Sequence, residues 1–358
     1  MAADAAATLP LPKTRDRQTF ARWMHLWLLL LLIATSLLSL GYGAADASLF
    51  GALAALMNGE AISHIEQVIL LDVRLPRLLL GITVGAALAI SGVLMQGLFR
   101  NPLADPGIVG VSAGASLGAI MAIVLGPLLP AGLLALTGNA LIALSAFAGA
   151  WIAMLILYRV STRQGRTSVA TMLLAGIALA ALTGAASGLL IYLADDQQLR
   201  DFTFWSLGSL GGTSWAKVWI TAPIVFGAIL LAIRLAHGLN CLALGEAAAR
   251  HLGIRTEQLK SGAVLLTAAA TGSAVAVSGG IGFIGIVVPH LLRLGTGPDH
   301  RPLLINAALL GATLLVGADI ISRTIVAPAE LPIGIVTAIL GAPVFLWILL
   351  RRRGLVDL

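Results

Sequence analysis

The longest stretch of this sequence without a charged side chain runs for 53 residues, from Pro106 to Tyr158. A soluble domain cannot build its surface from such a stretch, because roughly 25% of the residues in soluble domains are charged. A helix of about 20 mainly apolar residues crosses the hydrocarbon core of a membrane. The stretch therefore predicts two membrane-spanning helices, joined by a turn near Gly126, Pro127 and Pro130.

Further apolar segments raise the predicted number of spans to about ten. They are Trp23–Leu40, Leu78–Phe99, Thr167–Ala194, Lys217–Arg234, two unequal spans within Ser261–Leu292 that are separated at Gly279 and Gly280, Leu303–Val326 and Leu331–Leu350. Only 11% of the 358 residues are charged, and the mean hydropathy is +0.98. We therefore expect an all-α, polytopic membrane protein, in which the 40 glycines let neighbouring helices approach closely.

The apolar segments follow one another closely, which predicts a single transmembrane domain over residues 23–351. Residues 1–22 and 352–358 are then tails, and the longest connection on the side of the tails covers residues 239–260. Cys241 is the only cysteine in the chain. It can form neither an intrachain disulfide nor a Cys-based metal site by itself.

The basic residues are distributed unequally between the two sides of such a bundle. With ten spans, 17 of the 22 lysines and arginines share the side of the termini, and the other side holds Arg74, Arg77, Arg200, Lys217 and Arg323. Loops rich in lysine and arginine stay in the cytoplasm, so both termini are predicted to be cytoplasmic. The excess of basic residues that gives the chain its net charge of +6 therefore belongs to the loops of a membrane protein. For this reason we expect no nucleic-acid partner.

A short sequence echo suggests an internal repeat. Ala87–Gly92 reads Ala-Leu-Ala-Ile-Ser-Gly, Ala274–Gly279 reads Ala-Val-Ala-Val-Ser-Gly, and a proline follows ten residues after each final glycine. The copies lie five predicted spans apart and would therefore cross the membrane in opposite directions. Inverted repeats are typical of transporters, although text rich in Ala, Ser and Gly also matches by chance.

The sequence contains no motif that would make the chain an enzyme by itself. GxxxxGK[S/T] and HExxH are absent, and GxSxG is matched only within the long apolar stretch, at Gly110–Gly118, so we predict no catalytic residue, no cofactor and no metal site. The predicted spans also hold no carboxylate at their centres, where ion-coupled transporters usually carry one. Asp319 comes nearest, but it lies one helical turn before Arg323, so an ion pair between them is the simpler interpretation.

A transporter without these groups would need a separate motor subunit, and the connection 239–260 offers a contact for one. We predict a short helix from Glu246 to Leu252, ended by Gly253, and a second short helix with Thr256 as its N-cap. An ordinary solvated loop explains the pattern equally well. An ion-coupled transporter that uses Asp319 and an intramembrane enzyme are the remaining alternatives.

Several blocks of the sequence resemble the iron-chelate and vitamin B12 importer permeases, the FecCD/BtuC-like family. The resemblance extends over about residues 45–350. The blocks are Arg74–Arg77 (Arg-Leu-Pro-Arg), Gly85–Gly107 with its specific Asn-Pro-Leu-Ala-Asp-Pro, Gly110–Gly114, Gly245–Gly253, Gly280–His290 and Glu330–Gly334.

The resemblance implies a BtuC-like fold with an inverted internal repeat, in a type II ABC importer of the bacterial inner membrane. Two permease copies of ten helices each would form a homodimer. Two ATPase subunits would bind its cytoplasmic face, and a periplasmic binding protein would deliver the substrate to the outer face. The segments Met95–Arg100 and Asp201–Trp215 are most similar to the haem-importing branch, while ferric siderophores and vitamin B12 stay open as substrates.

The resemblance also implies three groups of site residues. Docking of the binding protein is assigned to Arg74, Arg77 and Arg323, for which contact with lipid headgroups is the alternative. Coupling to the ATPase is assigned to Gly245, Glu246, Arg250, His251 and Gly253. The translocation path is assigned to the fifth helix, about Thr171–Leu193, and within it to Thr171, Leu174, Ile177, Ala178, Ala181 and Ser187.

Overall fold

The structure is a computed structural model that describes residues 14–43, 51, 57–58, 63–107, 110–164 and 166–356. Most of the predicted N-terminal tail, positions 108–109 between two family blocks, and the last two residues of the predicted C-terminal tail lie outside the described residues. Helix α1 begins at Thr14, within the predicted tail. The division into tails and one domain stays a prediction.

The described chain is helical apart from one short hairpin. The helices are α1 (Thr14–Gly41), α2 (His64–Val68), a π-helical stretch (Ile69–Arg74), α3 (Leu75–Phe99), α4 (Val111–Leu125), α5 (Ala131–Thr137), α6 (Leu141–Ser161), α7 (Val169–Leu193), α8 (Asp196–Ser206), α9 (Trp215–Ala243), α10 (Glu246–His251), α11 (Thr256–Ser278), α12 (Ile284–Thr296), α13 (His300–Thr324) and α14 (Ile333–Val356). The antiparallel strands β1 (Thr162–Arg163) and β2 (Arg166–Thr167) connect α6 to α7.

Among the described residues, eight helical stretches are long and apolar enough to cross a membrane, and two shorter apolar helices accompany them. The prediction of an all-α chain with about ten membrane helices is confirmed. The shorter helices are α12, Ile284–Thr296, and the apolar part of α14, Ile333–Trp347. The first begins after the predicted break at Gly279, a residue whose φ of +71° suits glycine and ends α11.

Two predicted boundaries were wrong. The stretch from His64 to Phe99 is one continuous helical run through the π-helical residues, so Arg74 and Arg77 lie in a helix that begins well before the predicted Leu78. A capping box starts it, because Ser63 Oγ accepts from Glu66 N and the Glu66 carboxylate accepts from Ser63 N, both at 3.2 Å.

The other wrong boundary lies in α9, which continues past Arg234 to Ala243. The charge at Arg234 does not end the helix, because its side chain is exposed while Ala232, Ala236 and Leu239 bury the opposite side. The predicted connection therefore begins inside a helix. A helix can carry a solvated arginine as long as its other face packs.

Helix α3 forms the centre of the bundle, and nearly all of its residues are buried. It packs against α9, α11, α12 and α13. In contrast, α1 and α7 bury only a small part of their surface within this chain. The chain therefore has a fixed core around α3 and peripheral helices that leave apolar faces uncovered.

Glycine pairs bring the core helices into backbone contact. A Cβ atom at Gly85 would lie 2.4 Å from the Gly311 carbonyl oxygen, and one at Gly311 would lie 2.4 Å from that of Gly85. Gly114 of α4 and Gly149 of α6 exclude one another's Cβ in the same way. The many glycines thus allow close packing of membrane helices, as the composition indicated.

The two copies of the sequence echo lie in the second and seventh apolar helices, at different positions along them. Ala87–Gly92 lies in the middle of α3, where Gly92 contacts the backbone of Gly285. Ala274–Gly279 ends α11. The two copies therefore have different local roles, because the first packs against another helix and the second ends a helix. The helices that contain them are five positions apart in the order of the apolar helices.

Candidate functional site

The three predicted docking arginines lie together where α3 begins and α13 ends, a surface that we call the arginine face. Arg77 Nη2 is 2.9 Å from Asp319 Oδ1, and Arg323 Nε is 3.5 Å from Asp319 Oδ2. Arg77 also donates to both carboxylate oxygens of Glu330, at 2.6 and 3.0 Å. The predicted Asp319–Arg323 pair is present, but Arg77 is the closer partner of Asp319.

The end of α1 binds the other two guanidinium groups. Arg74 Nη1 donates to the Leu40 carbonyl oxygen at 2.7 Å. Arg323 Nη2 donates to the carbonyl and hydroxyl oxygens of Ser39, at 2.7 and 2.8 Å. The last carbonyls of a helix lack intrahelical donors and carry a partial negative charge, so they are suitable partners for buried cations.

The arginine face thus holds three cations and two carboxylates with little access to water. Arg74, Arg77 and Arg323 are 4%, 8% and 4% exposed, whereas the Glu330 side chain is 39% exposed. The cluster reaches the surface mainly at Glu330. The docking role stays a prediction, and in this conformation the guanidinium groups are engaged with the chain's own oxygen atoms.

The predicted coupling segment forms a compact unit on the opposite face, which we call the α10 face. The short helix is present as α10, Glu246–His251, between Gly245 (φ +110°) and Gly253 (φ +82°). Arg250 and His251 are exposed on it. Glu246 forms an ion pair with Arg250 and another with Lys260, the latter at 2.9 Å.

The predicted second short helix was wrong. Thr256 is the first residue of α11, a helix that continues to Ser278, and Arg255 occupies the N-cap position. Thr256 instead binds α10, because Arg250 Nε donates to its Oγ1 at 3.1 Å. The apolar pattern after Lys260 continues the helix into the bundle, so no separate short helix can end there.

Sequence reasoning missed the residue that links this face together, Lys260. Its side chain is 2% exposed and lies 2.9 Å from Glu246, 3.2 Å from Glu257 and 2.9 Å from the Thr167 carbonyl oxygen. Glu257 also accepts from Thr167 N at 2.8 Å. The Glu257–Lys260 spacing of three residues was the available signal, since such residues share a helix face.

The charges of this network also fix the state of Glu246. Partial burial opposes its ionised form, but the hydrogen bonds and charges of Lys260 and Arg250 outweigh burial and hold the pKa of this carboxyl below its usual value. Glu246 is therefore ionised at neutral pH. The short helix α10 is attached by ionic contacts rather than by a large apolar area.

Thr167 connects the network to α7, the predicted path helix. It ends strand β2, and Ser168 caps α7 through a hydrogen bond from Thr171 N to its Oγ at 3.2 Å. Lys260 and Glu257 thus hold the residue that directly precedes the cap. A displacement of α10 would reach the first turn of α7 through one side chain.

Five of the six predicted path residues lie on a face of α7 that this chain leaves uncovered, and Ser187 lies on another side of the helix. Leu174 and Ile177 are 69% and 63% exposed, Thr171, Ala178 and Ala181 are exposed, and Ser187 is half-buried. Behind the helix, an apolar cavity of about 550 Å³ is lined by residues of α7, α4 and α6. Helix α7 therefore has open space on two sides, and its path role stays a prediction.

The Asn-Pro-Leu-Ala-Asp-Pro block forms the turn between α3 and α4. Asn101 Oδ1 accepts from Leu103 N at 3.0 Å, and Asp105 Oδ1 accepts from Gly107 N at 2.7 Å. Burial raises the pKa of the Asp105 carboxyl, and the hydrogen bond from Gly107 opposes that shift. A Cβ at Gly285 would lie 2.9 Å from Asp105 Oδ2, so the turn packs directly onto α12.

The described residues form ten apolar helices, one of which is buried at the centre of the others, with ionic clusters at both ends of the bundle, and these features define a polytopic integral membrane protein. The chain belongs to the FecCD transport family, whose profile matches residues 30–351. It is a membrane transport permease, and the resemblance read from the sequence blocks is confirmed.

Its relatives include permeases with two named cargoes. The chain is 48% identical over 332 residues to HmuU of Yersinia pestis, a hemin transport system permease protein, with 93% of this chain and 96% of the relative covered. It is 42% identical over 334 residues to BtuC of Klebsiella pneumoniae, a vitamin B12 import system permease protein, with 93% and 95% covered.

A solved structure shares the fold. A metal-chelate-type ABC transporter in an inward-facing conformation superposes with a TM-score of 0.79 at 32% identity. The match covers 90% of this chain and 97% of that chain. The BtuC-like fold predicted from the sequence is confirmed.

Proposed function

We propose that this chain is the membrane permease of a binding-protein-dependent ABC importer that moves haem across the bacterial inner membrane. Two copies form the pathway, and both termini are cytoplasmic. Two ATPase subunits bind the α10 face and supply the energy. A periplasmic binding protein docks at the arginine face and releases the substrate between the two copies.

The observation that carries this proposal is the connection between α10 and α7 through Lys260. A motor that moves α10 needs a stiff contact to transmit the displacement. Lys260 supplies one, because its buried ammonium group binds α10, α11 and Thr167, the residue before the N-cap of α7, together. Charge-assisted hydrogen bonds of this kind are stronger than neutral ones.

Haem is favoured over vitamin B12 because the hemin permease relative is 48% identical and the vitamin B12 relatives are 42% identical. Ferric siderophores and cobalamin are the alternative cargoes within the same mechanism. The uncovered face of α7 carries leucine, isoleucine, alanine and threonine side chains. Such a face suits a conduit, which should bind its cargo weakly enough to release it.

Asp319, the best candidate for the coupling carboxylate of an ion-coupled transporter, is not placed for that role. Asp319 is 2% exposed and already contacts Arg77 and Arg323. A coupling carboxylate must exchange its ion with water during each cycle. A carboxylate fixed between two guanidinium groups is poorly suited to that task.

One reconstitution tests the proposal. The chain is placed in proteoliposomes with its ATPase and binding protein, and uptake of haem, a ferric siderophore and cobalamin is measured side by side. We expect ATP-dependent uptake with haem transported fastest. Faster uptake of cobalamin or siderophore would correct the cargo, and gradient-driven uptake without ATP would overturn the importer assignment.

A further inference from the structure

A second cavity opens on the α10 face, between the beginning of α1, the later part of α9 and the beginning of α13. Its volume is about 450 Å³. The polar lining consists of Arg22, His25, Asp299 and Arg301, and Ile233 and Ile305 are among the apolar residues that complete it. We call it the basic cavity, and nothing in the proposed transport cycle uses it.

The two arginines of the basic cavity differ from those of the arginine face. Arg22 and Arg301 are exposed, and neither forms an ion pair within the described part of the chain. The arginines of the other face are instead buried against carboxylates or carbonyl oxygens. Two unpaired guanidinium groups beside one cavity are suited to bind an anion.

The carboxylate and the imidazole of the cavity are both occupied by the protein itself. Asp299 Oδ1 accepts from Asn240 Nδ2 at 2.7 Å and from Arg301 N at 3.0 Å. His25 Nδ1 forms a hydrogen bond with Asn306 Oδ1. Asp299 thus acts as the N-cap of α13, and the two arginines outnumber it in charge.

The depth of the cavity in the membrane follows from the aromatic residues around it. Trp23 directly follows Arg22, Trp27 lies one turn further along α1, and both indole rings are exposed on the outside of the bundle. Exposed tryptophans concentrate at the level of the lipid headgroups. Beyond them α1 presents exposed leucines, among them Leu30, so the cavity lies where headgroups and acyl chains meet.

We propose that the basic cavity binds the phosphate group of an anionic phospholipid. Arg22 and Arg301 hold the phosphate from α1 and α13, and the acyl chains lie along the exposed leucines of α1. Basic pockets between membrane helices on the positively charged side recognise lipid phosphates in this way. The bound lipid would join the peripheral helix α1 to the core, and this inference needs only that the chain lies in a membrane.

Native mass spectrometry of the full-length detergent-solubilised chain tests the site, with phosphatidylglycerol, phosphatidylcholine and inorganic phosphate as probes. We expect phosphatidylglycerol to bind in preference to phosphatidylcholine. The double variant Arg22→Gln/Arg301→Gln should weaken phosphatidylglycerol binding about tenfold, since each basic group near a headgroup contributes to the attraction. Arg22→Lys/Arg301→Lys should retain most of the binding.

The matched control is Arg159→Gln/Arg163→Gln, which removes two other exposed arginines and should leave lipid binding within about twofold of the unmodified chain. Thermal unfolding of each variant shows whether it is folded. Equal loss of binding in both double variants would overturn the site in favour of unspecific charge. Displacement of the lipid by millimolar inorganic phosphate would assign the cavity to a free anion.

Discussion

At the scale of single residues, Arg77 and Lys260 are built into the structure in the same way. Each is nearly inaccessible to water, each is held by two carboxylates, and they lie at opposite faces of the bundle. Burying a charge costs several kcal/mol unless its partners are well placed. The loss of one partner should therefore matter more where the partner is itself buried.

The two acidic partners of Arg77 provide a matched test of this argument. Asp319→Asn leaves Arg77 and Arg323 without their buried counter-charge, and we expect a loss of about 3–5 kcal/mol. Glu330→Gln removes a partner whose side chain is 39% exposed, and an exposed pair contributes about 1 kcal/mol or less. Denaturant unfolding in detergent measures both, and equal losses would contradict the argument.

Arg74 allows the docking proposal to be tested without breaking that buried ion pair. Arg74→Gln should weaken association with the binding protein and flatten its salt dependence, because it removes one positive charge from a face whose attraction for an acidic partner is screened by salt. Arg200→Gln, an exposed arginine of α8, is the control and should change little. Surface plasmon resonance over a salt series gives both quantities, and an unchanged slope for Arg74→Gln would remove it from the docking site.

At the scale of helices, the ends of α7, α10 and α11 meet at Lys260, while the middles of α3 and α13 meet at glycines. The first contact is ionic and small, and the second is a direct backbone contact without side chains. Packed backbones deform little. The structure thus combines a rigid core with a small adjustable connection at the α10 face.

Lys260→Met should uncouple ATP hydrolysis by the partner subunits from transport through this chain. It keeps the length of the side chain but removes the charge that joins α10 to Thr167, and charged hydrogen bonds of this kind contribute roughly 1.5–3 kcal/mol. In proteoliposomes we expect uptake per ATP hydrolysed to fall about tenfold. Arg255→Gln, an exposed residue of the same connection, should leave that ratio unchanged, and an unchanged ratio for Lys260→Met would refute the connection.

Two glycines of α13 test the close packing. Gly311→Ala would place a Cβ 2.4 Å from the Gly85 carbonyl oxygen, whereas a Cβ at Gly317 meets no atom within 4 Å. We expect Gly311→Ala to destabilise the chain by about 1–3 kcal/mol, as overpacking does. Gly317→Ala should be neutral or stabilising, by up to about 1 kcal/mol. Thermal unfolding in detergent compares them, and similar midpoints would argue against tight contact.

At the scale of the whole molecule, the uncovered face of α7 is the clearest sign that one copy is incomplete. Apolar side chains such as Leu174 and Ile177 are exposed there, and Gly184 and Gly188 have open space where a Cβ would stand. Small residues on a membrane helix favour close approach of another helix. A second copy placed against this face would enclose the space between two α7 helices.

Cysteine cross-linking tests this arrangement in membranes. Cys241 is buried and is first replaced by serine. Leu174→Cys should then form an intermolecular disulfide on oxidation, because the two α7 helices would face each other across the pathway. Ile220→Cys, on an exposed apolar face of α9, should stay monomeric. Cross-linking at Ile220 instead would place the dimer interface on α9.

The sequence predicted the number and order of the membrane helices because hydrocarbon leaves the backbone few alternatives. Every peptide group inside a membrane must be paired within the chain, so a long uncharged run is read as a helix. Helix boundaries near charged residues were predicted less accurately. Arg74 and Arg234 looked like helix limits, yet the first is paired inside the bundle and the second is solvated on one side of a helix.

The candidate site was predicted only in part. The family blocks pointed to Arg74, Arg77 and Arg323, and the short α10 was found from its glycines. Lys260 was missed, because its partners Thr167 and Glu246 lie in other elements. Local spacing indicated only its neighbour Glu257.

The sequence by itself therefore determined that this chain spans a membrane through about ten helices. The free energy of transferring a segment from water to hydrocarbon depends on the residues of that segment alone. Only the tertiary structure decided which charges are buried together. Arg77 meets Asp319 across 242 positions of the chain, and Lys260 meets Thr167 across 93. Such pairs depend on how the helices pack, because electrostatic attraction in a low-dielectric interior depends on distance in space and not along the chain.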